Sequence, residues 1–271
     1  MNAAPDTTKT KTPRRSDPPQ ATEATVFHTR ILRCTLAVDD SASYWRRADL
    51  GVPPSARAHV AFEARWFGMK SEARVRTLVS DMAERFDAYP EALTLLRTFD
   101  SVPSRLRPFI CHVHTQLADP IYRRFSGEFL PRLLAQGVTT VDRVAVADWV
   151  DSLAPGRWSA SSSLKFGSNL LSTAFEAGLV GGRRDPRAIK MLTVPEVALG
   201  YVLYLLRSIR FEGTLTDNPY LRSLGVSAAA FRVFAPRIPG IRYAELGTTA
   251  ELGFTEPDLA TWGLAHLGGA A

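Results

Sequence analysis

Between Arg157 and Lys190 the chain reads RWSASSSLKFGSNLLSTAFEAGLVGGRRDPRAIK. Four serines and a lysine open an apolar-periodic run, and a glycine pair set among charges closes it. Small serines let a backbone approach phosphates closely, and the free N–H groups at a helix start attract anions. Lys165 and Asn169 stand one helical turn apart and are long enough to reach base edges, while Arg157, Arg183 and Arg184 are spaced to clamp phosphates on either side. Arg157, Lys165, Arg183, Arg184, Arg187 and Lys190 face only two acids, Glu176 and Asp185, a local excess of +4 in a chain of net charge +6. A surplus of that size is the electrostatic footprint of a polyanion site. The candidate nucleic-acid-binding set is therefore Arg157, Ser159, Ser161, Ser162, Lys165, Asn169, Arg183, Arg184, Arg187 and Lys190. The competing reading is a scaffold or partner-docking unit, since serine commonly only caps a helix and charged Gly-Gly loops are commonly only solvated.

The elements that must position these residues can be read from spacing. A helix is predicted from about Ser159 to Ala177, stopped at Gly178, with Leu164, Leu171, Ala174 and Phe175 as its packing face and Ser161, Lys165, Ser168, Asn169 and Ser172 on other sides. Upstream, TTVDRVAVADWVDSL turns Val141, Val144, Trp149, Val150 and Leu153 toward one side of a helix that Pro155-Gly156 breaks. Downstream, LV and IKMLTV flank the Gly-Gly turn and predict a hairpin with GGRRDPR at its tip. Helix, turn, helix and hairpin form the order of a winged helix-turn-helix.

The whole chain divides into four segments. Residues 1–25 hold four prolines, many threonines and scarcely any large apolar side chain, and are expected to be a disordered tail. Its Lys9, Lys11, Arg14 and Arg15 are nearly cancelled by Asp6, Asp17 and Glu23. Residues 26–135 read as an all-helical domain of short helices punctuated by prolines, with Val75, Leu78, Val79, Met82 and Phe86 as one stripe after a start at Ser71. Residues 136–195 are the winged-helix domain. Residues 196–271 form a C-terminal region opened by a helix apolar nearly all round, followed by a second helix-turn-helix around Gly225 and Ser227 and a terminal hairpin. The fold class is mainly α, with small β-hairpin wings.

Composition excludes several functions. No apolar run approaches the ~20 residues a membrane-spanning helix needs, and the N-terminus lacks the apolar core of a secretory signal. Two cysteines, Cys34 and Cys111, are too few for a disulfide framework and fit a cytoplasmic protein. All but five of the 33 basic residues are arginine, which suits phosphate recognition but equally reflects a GC-rich coding sequence. The Cys111 to His114 run CHVH lacks a second ligand pair at useful spacing, and His28, His59 and His266 are scattered, so no metal is expected. No phosphate loop, nucleophile elbow or zinc-hydrolase motif is present, and neither catalytic residues nor a cofactor are expected.

The runs VFHTRILRCTLAVDDSASYW, FGMKSEARVRTLVSDMAERFDAYP and WSASSSLKFGSNLLSTAFEAGLV together resemble the BrxA family of the BREX bacteriophage-exclusion systems over most of residues 26–225. The positions that carry the likeness are Trp158, Ser159, Ser161, Ser162, Lys165, Glu176, Ala177, Gly178 and Leu179. The resemblance implies a helical protein similar to the RNA-binding antitermination protein NusB with a winged-helix element. It also implies nucleic-acid binding in phage defence beside other BREX components, and no catalytic residues. The favoured partner is double-stranded DNA. RNA binding through Arg105, Arg107, Arg123 and Arg124, or a role as an assembly adaptor, are the alternatives.

Overall fold

Acidic first turns, side-chain caps and prolines set the helix starts in this mainly helical chain, whose computed structural model describes residues 21–98, 102–246 and 249–267. Asp39 and Asp40 complement the dipole at the start of α1 (Val38–Arg47), and Asp40 also holds Lys70 at 3.1 Å. α2 (Pro54–Glu63) opens on proline, whose missing N–H costs nothing in a first turn. Ser71 accepts a hydrogen bond from Arg74 N and starts α3 (Glu72–Phe86), and the expected stripe from Val75 to Phe86 is buried. Prolines then divide the chain into α4 (Pro90–Thr98), α5 (Arg107–Ala118) and α6 (Pro120–Arg124), followed by a π-helical turn (Phe125–Phe129) and α7 (Leu130–Ala135).

From 140 to 189 the order is strand, helix, turn, helix, hairpin. β2 (Thr140–Val141) precedes α8 (Arg143–Leu153), and α9 (Ala160–Glu176) leads into β3 (Val180–Gly181) and β4 (Arg187–Ile189). The strands form one antiparallel sheet in the order β2-β4-β3, with Val141 opposite Arg187 and Gly181 opposite Ala188. The strand before the two helices is thus closed onto the hairpin after them. α8 and α9 cross closely at Gly167, where an added Cβ would lie 2.3 Å from the Arg143 carbonyl oxygen.

α10 (Glu196–Arg207) is buried at every residue from Ala198 to Leu206, so it lies inside the structure, as its unbroken apolar run predicts. After β5 (Ile209–Arg210) come α11 (Pro219–Ser223), α12 (Ala228–Phe234), the antiparallel hairpin β6 (Ile241–Leu246) and β7 (Thr249–Phe254), and α13 (Leu259–His266). One apolar core runs through all of these regions, from Ile31 to Leu267.

The disordered tail expected for 1–25 is corrected at its end, while residues 1–20 lie outside the described residues. β1 (Ala21–Thr22) pairs in parallel with β5. Glu23 is buried: its carboxylate accepts from Glu212 N at 3.0 Å and from the Tyr220 hydroxyl, with Arg123 Nε at 3.4 Å. A buried charge is tolerated only with such partners, and they lie far beyond any local sequence window. The chain from 21 to 37 continues as a strap: Arg85, itself buried, donates to the carbonyls of Cys34, Thr35 and Leu36 at 2.8–3.0 Å.

His112 and His114 are fully enclosed. His112 is hydrogen-bonded to the hydroxyls of Tyr122 and Ser223, and His114 to the Arg85 carbonyl and the Tyr201 hydroxyl, each at 2.8–2.9 Å. Burial pushes their pKa values down to about 3 and about 4, so both are neutral polar pins between helices. No helix among the described residues is long and apolar enough to cross a membrane.

Candidate nucleic-acid interface

Gly156, at φ +73°, turns the chain between α8 and α9, a backbone that residues with a Cβ rarely adopt. Ser159 then caps α9 by accepting from Ser162 N at 3.3 Å, and its hydroxyl lies 3.0 Å from those of Ser161 and Ser162. The serine cluster at the helix start is therefore first a cap, with Ser159 and Ser161 exposed and Ser162 half-buried.

α9 has three sides. Its inner side buries Phe166, Gly167, Leu170, Leu171 and Ala174. A second side carries Asn169 and Glu176 and receives the strap: Asn169 Nδ2 donates to the Ile31 carbonyl at 3.0 Å, and Glu176 accepts from Thr35 Oγ1 and Ala37 N, both at 2.7 Å. The third side faces outward and bears Ser161, Leu164, Lys165, Ser168, Ser172 and Phe175, all exposed or half-buried. The expected packing face is thus corrected in phase. Leu171 and Ala174 are buried, whereas Leu164 is 42% exposed and Phe175 is half-buried, because the helix turns Phe166 and Leu170 toward the core.

The predicted cations divide in the same way. Arg183 stands over the Phe175 ring, 5.5 Å from its centroid, which brings the hairpin loop onto the outward side of α9. Lys165 lies ten residues before Phe175, about 15 Å along the axis. Lys165 and Arg184 are exposed, and neither has a partner among the described residues. Arg157 is exposed but committed in part, donating to the Phe27 carbonyl at 2.8 Å and standing over the Trp158 ring.

Three members of the set do not join this surface. Arg187 is only 8% exposed, and its Nε donates to Asp185 Oδ1 at 3.1 Å. Asp185 Oδ2 in turn accepts from Arg143 N at 3.2 Å, so this pair ties the loop to α8. Asn169 is held by the strap. Lys190 is exposed, but its side chain crosses Gly181 and lines a cleft against α7 and α11.

Arg143 is a gain. It is exposed at the first position of α8, beside the loop and the middle of α9, and no sequence motif marks it. The alternative arginine set is divided: Arg105 is exposed, Arg107 and Arg124 are half-buried, and Arg123 alone of the four is buried. Arg123 is buried against Glu23, Arg107 Nε donates to the Val102 carbonyl, and Arg124 stands over the Phe27 ring. No group of three or more His, Cys, Asp or Glu side chains among the described residues is arranged to hold a metal ion.

No protein-family model matches the chain, and no curated protein matches it.

Proposed function

We propose that this protein binds double-stranded DNA through α9 and the β3–β4 loop, acting as a winged helix-turn-helix within a BREX-type phage-defence system. The observation that carries the reading is Arg183 over Phe175: it sets the loop cations beside the outward stripe of α9 that also bears Lys165. The sheet order β2-β4-β3, which closes the hairpin onto the strand before the helices, supports the winged-helix description. Lys165, Arg183 and Arg184 contact phosphates, and Arg143 is added to them.

Sequence preference is weak on this reading. Asn169 is held by Ile31, and the hydroxyls of Ser168 and Ser172 donate to the carbonyls of Leu164 and Ser168. Few directed groups remain for base edges, so backbone contacts dominate and binding falls steeply with salt. The C-terminal pair α11 and α12 with its hairpin repeats the order of elements but holds four arginines against four acids over 219–267, so it lacks the local charge surplus.

Fluorescence anisotropy with labelled duplex DNA tests the proposal on the wild type and on the triple variant Lys165→Ala, Arg183→Ala, Arg184→Ala. Removing three phosphate contacts lowers the slope of log affinity against log salt by about 2–3 and weakens binding by roughly tenfold or more. Equal affinities at both low and moderate salt dismiss the site.

A further inference from the structure

The cleft that Lys190 lines lies between the linker after β4, the lip of α7 and the α11–α12 turn. Its walls include Leu130, Leu134, Leu179, Ile189 and Leu192, and Met191 beside them is 80% exposed. No carboxylate is among its lining residues, whereas two cations, Lys190 and Arg222, are. Arg222 is partly neutralised by Asp217 at 2.7 Å. Lys190 has no side-chain partner among the described residues.

The hydroxyls in the cleft are already engaged. Ser126 and Ser223 are hydrogen-bonded into the network around Gln116, His112 and Tyr220, and Ser227 caps α12. A sugar or other polyol finds little to bond there. The space, about 210 Å³, is below the ~300–1,000 Å³ of ordinary small-molecule sites, which disfavours a nucleotide. It suits one apolar side chain, with Met191 able to repack around it.

We infer that this cleft docks an acidic segment of a partner protein, one apolar side chain entering between α7 and the linker while a neighbouring Asp or Glu pairs with Lys190. Charge complementarity fixes that occupant: an uncompensated ammonium beside an apolar wall lacking carboxylates repels a basic peptide and leaves a neutral one without its ion pair. The inference does not depend on DNA binding, because none of the residues lining the cleft belongs to the α9 stripe or is one of the four cations proposed for DNA.

Panning a random dodecapeptide library on the full-length protein tests it. The selected peptides are expected to carry Leu, Ile, Met or Phe within three positions of an acidic residue. Synthetic copies should move the methyl resonance of Met191, but not that of buried Met82, in protein labelled with methyl-¹³C methionine. Lys190→Glu should weaken binding at least tenfold and Lys190→Arg restore it, while Leu134→Glu, at the half-buried lip, should abolish it, with thermal melts reporting that each variant is folded. Selection of basic or charge-free peptides, a stationary Met191 signal, or equal binding by the Lys190→Glu protein overturns the proposal.

Discussion

Arg183 and Phe175 face one another with 5.5 Å between the guanidinium carbon and the ring centroid, joining the loop after β3 to the last turn of α9. An exposed contact of this kind contributes about 0.5–1 kcal/mol. Replacing Phe175 with leucine keeps an apolar side chain but removes the π face that holds the loop. Duplex affinity measured by anisotropy should fall about two- to fivefold with an unchanged salt slope, because the cations remain and only their placement loosens. An unaltered affinity disconnects this contact from binding.

Gly167→Ala should destabilise the protein, although the exchange favours an exposed helix interior by up to about 1 kcal/mol. The new methyl would meet the Arg143 backbone at 2.3 Å, and backbone at a helix crossing yields less readily than a flexible side chain. The expected net cost is about 1–3 kcal/mol or more, read as a lower urea midpoint. A midpoint at or above wild type refutes the tight crossing of α8 and α9.

Glu176→Ala should cost about 1–3 kcal/mol, since it strips the acceptor from Thr35 Oγ1 and from the N–H of Ala37, a residue held at φ +50°. Thr35→Val removes only one of those bonds and should cost less. Urea unfolding of both variants ranks them, and the reverse order places the anchor elsewhere.

Acid should weaken the fold through His112 and His114. Each is held neutral in the native state, with pKa values near 3 and 4 against about 6.5 unfolded, so the unfolded chain binds more protons between those limits. Their contribution is present above pH 6.5 and is lost as pH falls from there toward 4, at about 1.4 kcal/mol per pH unit for each. The buried carboxyls of Asp81 and Asp119, raised by burial, act in the opposite sense. The comparison is therefore between wild type and His114→Gln: urea midpoints from pH 7.5 to 5 should fall less steeply in the variant. Parallel pH profiles exclude His114 as a source of the slope.

Much of this architecture is legible locally. Ser71, Ser159 and Ser227 mark helix starts because a cap acts on N–H groups two or three residues away. The stripe from Val75 to Phe86 and the apolar run of α10 from Val197 to Leu206 follow from spacing alone. Other features are decided at long range. Asn169 reaches a carbonyl 138 positions earlier and Arg157 one 130 positions earlier, so neither is available in the way its type suggests. The phase of α9 is masked in the sequence because glycine and serine occupy buried positions there, and Gly167 and Ser163 dilute the apolar signal of the inner side. Arg187 has the residue type and neighbours of a loop cation, but its strand position turns it inward onto Asp185.

The burial of Glu23 also bears on biosynthesis. Its hydroxyl partner Tyr220 is 197 positions away, so at about 5–20 residues per second a nascent chain waits roughly 10–40 s after Glu23 is made before Tyr220 is even polymerised. Until residues 209–210 are made, Ala21 and Thr22 have no strand to join, and until Tyr220 is made the Glu23 carboxylate lacks its hydroxyl partner. Chains truncated before 209 should leave Ala21 and Thr22 open to proteases.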